Sequence, residues 1–392
     1  MTICRHFGVC GGCQWQDVPY PEQLRRKRSA LEQRLALALG PAAPSIAPVI
    51  GMPVSDDGLP WHFRNKASFV FGPADARGRG LVMGHFARAS KSIVPVEECP
   101  VHANRANRLA FELRDQLARA RITAAGPRLE GVLRHLLVRT THDEREAIVT
   151  LVVTRNDASL KRPLRLFLAS PDPPDGLFVN VHYRPGPFML GDETVRISGH
   201  RQVRENRLET SFLVSPTAFF QTNPDAAAAM VEVVLREGLA GSGAGALNVL
   251  DLYAGSGLFA LPLAARGCRV TAVEENASAV GDAQANQRLN RIPENRVTVV
   301  CARVEDFLGR VSKSPDLAVL DPPRQGCAPG VLDDLFGRLA PQRVIYISCS
   351  AETLAQELPV ALDAGYRVTL AQPIDMFPHT EHVETVVVME RR

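Results

Sequence analysis

At 392 residues, with 45% hydrophobic and 22% charged residues, the chain has the length of two or three domains and a globular composition, which excludes a single small module, a disordered chain and a collagen. No apolar run reaches the ~18 residues of a membrane span, and the N-terminus lacks the basic-then-apolar order of a secretory signal, so a cytoplasmic protein is expected. The net charge of +3 hides an asymmetry: residues 1–210 carry 30 Lys+Arg against 21 Asp+Glu, net +9, and the remainder carries 15 against 21, net −6, which favours a nucleic-acid partner for the first half.

Cys4, Cys10 and Cys13 open the chain as C-x5-C-x2-C, and Cys99 follows remotely in Glu-Glu-Cys-Pro. Clustered cysteines in a reducing compartment favour metal or catalytic chemistry over disulfides. Three close thiols plus a distant fourth suit an iron-sulfur cluster better than zinc, whose ribbons pair two short knuckles, or than unliganded cysteines. Gly11 and Gly12 let the backbone fold tightly there. Pro21 to Leu39 then reads as a helix with a basic face, either solvated or laid on phosphate. Pro41 to Pro60, with five prolines, reads as a linker or irregular loop. Trp61–Phe71, Leu81–Phe86, Leu133–Thr140, Ala147–Thr154 and Leu177–Val181 are short β-rich segments of a mostly antiparallel sheet, interrupted by a helix over Ala103–Ala120.

After residue 210, helical and strand patterns alternate in the manner of a doubly wound parallel sheet. A helix over Pro224–Leu239 precedes a strand from Asn248 that ends in Asp251-Leu-Tyr-Ala-Gly-Ser-Gly257, and a second strand, Arg269–Val273, ends at Glu274. This layout places a cofactor across the strand ends, with Glu274 set to accept from ribose hydroxyls. The glycine motif alone also admits a nicotinamide enzyme. Asp251 favours S-adenosylmethionine, because a carboxylate there suits a sulfonium cation and repels a pyrophosphate. Two further strands run into Asp321-Pro-Pro-Arg324 and Ser348-Cys-Ser350. Arg324 stands where amino-directed adenine methyltransferases carry an aromatic residue and RNA cytosine-5 methyltransferases a cysteine. Cys349, at the catalytic edge, reads as a nucleophile rather than as a buried inert thiol.

The chain resembles the RNA uracil-5-methyltransferases over nearly its entire length, and most closely the branch acting on a uridine of 23S ribosomal RNA, of the uridine 747 type. The resemblance rests on Cys4-x5-Cys-Gly-Gly-Cys13-Gln-Trp15, Phe63-Arg-Asn-Lys66, Glu98-Cys-Pro100, Phe219-Phe-Gln-Thr-Asn223, Asp251-x3-Gly-x-Gly257, Asp321-Pro-Pro-Arg324, Ser348-Cys349 and Asp375-Met-Phe-Pro-His-Thr-x-His-x-Glu384. It implies a [4Fe-4S] cluster on Cys4, Cys10, Cys13 and Cys99, S-adenosylmethionine contacts from Gln221, Tyr253, Glu274 and Asp321, a nucleophile at Cys349 and a proton acceptor at Glu384. Tyr253 replaces a phenylalanine common in the family. Some members begin with an extra RNA-binding barrel, and a chain starting directly at the cluster matches the shorter ribosomal branch.

The expected fold is α/β: a class I, Rossmann-like S-adenosylmethionine-dependent methyltransferase domain over 211–392, preceded by an iron-sulfur segment over 1–40 and a β-rich RNA-binding domain over 41–210. Arg64 and Lys66 are expected to contribute to RNA affinity, and Phe219 or Phe220 to receive a base flipped from its stack. The rivals are tRNA uracil-5 methylation by the same site, and a non-catalytic iron-sulfur RNA-binding factor.

Overall fold

The first helix, α1 (Tyr20–Leu39), buries one stripe made of Tyr20, Gln23, Lys27, Leu31 and Leu35, the three-to-four-residue spacing of a single helix face. The computed structural model describes residues 3–75, 80–126, 128–186, 189–206, 210–241 and 246–392. They fall into two units. One gathers Met1–Asp17, Val54–Glu205 and Val214–Thr217, and the other Val18–Pro53, Asn206–Leu213 and Ala218–Arg392.

The first unit is built on a seven-stranded sheet. Its strands are β1 (Lys66–Gly72), β2 (Val82–Phe86), β3 (Ile93–Pro95), β4 (Leu133–Thr140), β5 (Ala147–Val153), β6 (Gly176–Val181) and β7 (Glu193–Gly199), in the order β3-β2-β1-β4-β5-β6-β7. Every pairing is antiparallel except β5 with β6, where helix α3 (Lys161–Leu168) makes the crossover. Helix α2 (Asn104–Arg119) buries Ala106, Leu109, Ala110, Leu113 and Leu117 in a core shared with Leu136, Val149 and Leu151. The short strands β8 (Val203–Glu205) and β9 (Phe212–Val214) follow.

The second unit carries β10 (Asn248–Leu252), β11 (Arg269–Glu274), β12 (Val297–Cys301), β13 (Leu317–Leu320), β14 (Arg343–Ser348), β15 (Tyr366–Ile374) and β16 (Glu384–Arg391), ordered β12-β11-β10-β13-β14-β16-β15. The first five are parallel, and β16 runs antiparallel to both neighbours. The strand order reverses beside β10, between β11 and β13, which opens a crevice at the carboxyl ends of the parallel strands. Helices α4 (Pro224–Gly238), α5 (Ala260–Ala265), α6 (Ala277–Leu289), α7 (Val304–Leu308) and α8 (Ala351–Asp363) complete it. Asn223 caps α4, its side chain accepting from Ala226 N–H at 3.3 Å. No described helix is long and apolar enough to cross a membrane.

One expectation about the chain's organisation is corrected. The boundary at 40 fails because α1 packs Leu31 and Leu35 into the core that holds Leu320, Tyr346 and Val387, so residues 18–53 belong with the methyltransferase sheet, while the change of unit between Glu205 and Ala218 lies close to the expected 210. Pro41 to Pro60, expected as a linker or irregular loop, is irregular but tied down. Ala47 N–H donates to Ala371 O and Ile50 N–H to Pro373 O, both at 3.0 Å, which covers the exposed edge of β15. The basic face of α1 is also divided, since Lys27 is buried while Arg25 stays exposed.

Candidate active site and cysteine cluster

In the second unit, the glycine turn after β10 closes as the sequence requires. Gly255 and Gly257 sit at φ +53° and +90°, and a Cβ on Gly257 would stand 3.0 Å from Leu261. Glu274, the last residue of β11, accepts from Gly255 N–H at 2.9 Å and from Asn276 N–H at 2.8 Å, so its carboxylate fixes the loop. Tyr253, at φ +62°, accepts from Ala328 N–H at 3.3 Å and thereby ties the end of β10 to the loop after β13. Gln221 is buried and hydrogen-bonds Asp321, which opposes the burial that pushes the Asp321 carboxyl up to about 7.

Cys349 and Glu384 stand at adjoining strand ends. The last pair of β14 and β16 is Ser348 with Thr385, Cys349 follows Ser348 directly, Glu384 precedes Thr385, and the Glu384 charge acts on the Cys349 thiol. Burial first, then the Glu384 and Asp321 charges, push the Cys349 thiol up to about 11, while Arg324 pulls it down. Glu384 is buried, which together with the Asp321 charge raises its carboxyl to about 8, again opposed by Arg324. Asp251 is fully buried. Burial, then the Asp321 and Glu274 charges, raise it to about 8 against the pull of the Ala260 amide. Three carboxyls held above their usual range against one guanidinium make a site that a cationic ligand would relieve, and a sulfonium with an ammonium group fits that requirement.

All six residues expected of this site, Gln221, Tyr253, Glu274, Asp321, Cys349 and Glu384, lie at the carboxyl edge of one sheet or in the segments bordering it. The sequence alone assigns no role to Arg324 or to His382, whose Nδ1 lies 3.1 Å from the Arg324 guanidinium. The two phenylalanines separate: Phe220 is core, packed on Phe212 with ring centroids 5.4 Å apart, and Phe219 is 67% exposed.

In the first unit, Cys4, Cys10, Cys13 and Cys99 line one cavity of about 440 Å³. Cys10 bridges to Ala87, and Gly11 donates to Phe86 O at 2.9 Å. A Cβ on Gly11 would stand 3.0 Å from that same oxygen, a contact so tight that the carbonyl would have to give way by a few tenths of an ångström. Asn107 on α2 clamps Cys99, accepting its N–H at 3.2 Å and donating to its carbonyl at 2.9 Å. All four cysteines are free thiols. Burial first, then their mutual charge, pushes Cys13 up to about 11 and Cys99 up to about 12. His6 Nε2, Arg64 Nε, His85 Nε2 and His102 Nδ1, all on residues lining the cavity, are buried without a hydrogen-bond partner. Four convergent thiols beside unsatisfied nitrogens fit a thiolate-ligated anionic group such as an iron-sulfur cluster. The ligand atoms of His85, Cys99 and His102 also lie within 4.8 Å of one another, a smaller set that suits a single zinc ion. Arg64 is corrected here: it is half-buried, and its charge acts on Cys99 and Cys13 rather than standing free for phosphate.

Comparisons with known proteins bear on the methyltransferase site. A sequence model of the tRNA (uracil-5-)-methyltransferase family matches residues 192–392. An uncharacterized RNA methyltransferase of Thermosynechococcus vestitus is 34% identical over 97% of this chain and 82% of its own length. One of Synechocystis is 33% identical over 97% and 80%. Among solved structures, the tRNA (uracil-54, C5)-methyltransferase of Pyrococcus abyssi in complex with S-adenosyl-L-homocysteine superposes with a TM-score of 0.78. It is 27% identical, over 99% of this chain and 88% of that one.

Proposed function

This chain belongs to the RNA uracil-5-methyltransferase family, and from that premise we propose that its target is a uridine of 23S ribosomal RNA, methylated by covalent addition of Cys349. It is an S-adenosylmethionine-dependent RNA methyltransferase. The observation that supports the mechanism is the placing of Cys349 and Glu384 at adjoining ends of β14 and β16, within the electrostatic reach of Asp321 and Arg324.

Carbon 5 of uracil is too weak a nucleophile to attack a methyl sulfonium unaided. The Cys349 thiolate adds to carbon 6, forming the sulfur-carbon bond and moving the ring's π electrons onto the carbon 4 oxygen as an enolate. Bound S-adenosylmethionine supplies an electrophilic methyl group at this point. Once carbon 5 carries the methyl, the Glu384 carboxylate removes the remaining carbon 5 proton, the ring double bond re-forms and the sulfur leaves as thiolate. Arg324 favours the anionic forms of both groups, which their burial opposes. Gln221, Tyr253, Glu274 and Asp321 hold the cofactor, and Phe219, exposed where Phe220 is core, stacks on the flipped base. Cys4, Cys10, Cys13 and Cys99 hold a [4Fe-4S] cluster, and the basic first half contributes RNA affinity.

The motif set from Cys4 to Glu384 supports the ribosomal target. A tRNA target is favoured instead by the likeness to the Pyrococcus abyssi enzyme along 99% of the chain. Mapping 5-methyluridine in ribosomal and transfer RNA of a deletion strain decides between them. Loss at one 23S position with transfer RNA unchanged is expected, and loss in transfer RNA alone would move the substrate there.

A further inference from the structure

The segment from Asp375 to Val383 joins β15 to β16 and delivers Glu384, and α1 grips it with three side chains from one stripe. Tyr20 donates to Asp375 Oδ2 at 2.7 Å and accepts from Met52 N–H at 2.7 Å. Gln23 accepts from His379 N–H at 2.9 Å, securing a buried residue at φ +66°. Lys27 pairs with Asp375 Oδ1 and donates to the carbonyls of Phe377 at 2.9 Å and His382 at 2.7 Å. The three ammonium hydrogens therefore have three acceptors. Asn223, the cap of α4, adds a hydrogen bond to Met376 O at 3.2 Å.

Both side chains of the Lys27–Asp375 pair are fully buried. For stability alone a well-packed apolar pair would serve as well, so the pair calls for a second role. What an apolar pair lacks is the power to set the path of two carbonyls. His382, held through its carbonyl by Lys27, meets Arg324 through its ring, and Arg324 is the cation acting on Cys349 and Glu384.

We propose that Lys27 is a positioning residue of the methyl-transfer site: through the carbonyls of Phe377 and His382 it sets where the Glu384 carboxylate and the Arg324 guanidinium stand relative to Cys349. This rests on the reading of Glu384 as the base that removes the carbon 5 proton. Lys27 touches no reacting atom, and its effect falls on the step that Glu384 performs.

The test compares the parent, Glu384→Gln and the double variant Lys27→Met/Asp375→Asn, which leaves no unpaired buried charge. Turnover, S-adenosylmethionine binding and the fraction of RNA trapped as a methylated covalent complex are measured at equal folded fraction. The double variant should turn over on the order of 10²-fold more slowly, the cost of a roughly 1 Å misplacement. It should accumulate the trapped complex and bind S-adenosylmethionine as the parent does. Near-parent turnover, or a slowing without any trapped complex, overturns the proposal, because a merely less stable protein slows every step alike. If Glu384→Gln traps nothing, the base assignment fails and this proposal falls with it. Should the double variant not fold, Lys27→Gln/Asp375→Asn keeps two donor hydrogens, leaves no unpaired buried charge and should trap a smaller but measurable fraction; none trapped would be decisive against it.

Discussion

Cys349 and Glu384 stand at the adjoining ends of β14 and β16, beside the Ser348–Thr385 pair, so the group that opens the proposed reaction and the group that closes it are delivered by two neighbouring strands. Their proximity has an electrostatic cost that shows as pH dependence. Glu384 works as a base only when ionised, and its carboxyl is raised to about 8 by burial and the Asp321 charge. The rate of RNA release after methyl transfer should therefore rise with pH through about 8 and then level. Arg324→Ala removes the cation that holds Glu384 down and should move the inflection to higher pH. Single-turnover release measured from about pH 6 to about pH 9.5 checks both statements, and a flat profile would contradict them.

The cysteine cavity predicts a visible property. Anaerobically purified protein should be brown and carry about four irons per chain. Cys13→Ser should lose the colour while S-adenosylmethionine binding persists, because the four cysteines and the cofactor-site residues belong to different units. Arg64→Leu should weaken retention of the cluster more than RNA affinity, since the Arg64 charge acts on Cys99 and Cys13. Stoichiometric zinc without visible absorbance would point to His85, Cys99 and His102 instead.

Helix α1 is expected to behave as part of the methyltransferase core. Leu35 is 1% exposed there, and Leu35→Ala should cost about 2–5 kcal/mol in denaturant unfolding. Lys27→Met alone leaves Asp375 as an uncompensated buried charge and should cost about 3–5 kcal/mol. Substitution at exposed Arg25 should fall within about 0.5 kcal/mol of the parent.

Why α1 was misplaced and the catalytic edge was not follows from the kinds of signal each leaves. The edge residues sit at the ends of short, strongly apolar strands, so Asp251, Asp321 and Cys349 are located by the position at which each apolar run stops. Lys27 sits among Arg25, Arg26 and Arg28, and nothing local distinguishes the one cation that meets a carboxylate 348 residues away. The same holds for Pro41 to Pro60, whose prolines read as a linker or irregular loop and give no sign that its backbone pairs with β15, an interaction that exists only once the sheet has formed. The cysteines were legible as a set because a remote Cys99 has few other uses. The donors around them, Arg64, His85 and His102, were not, because their shared cavity joins the segment before β1, the strand β2 and the turn before α2.

The central claim, a thiolate addition by Cys349 resolved by Glu384, is tested most directly by trapping. RNA containing the target uridine is incubated with methyl-labelled S-adenosylmethionine and either Cys349→Ala or Glu384→Gln, then run on a denaturing gel. Glu384→Gln should carry the label into a covalent protein-RNA band, because addition and methyl transfer precede the step it lacks. Cys349→Ala should form no such band and release no S-adenosylhomocysteine. Uridine methylation by Cys349→Ala would contradict the account outright, and near-parent turnover by Glu384→Gln with no trapped band would transfer the base role to another residue, Asp321 first.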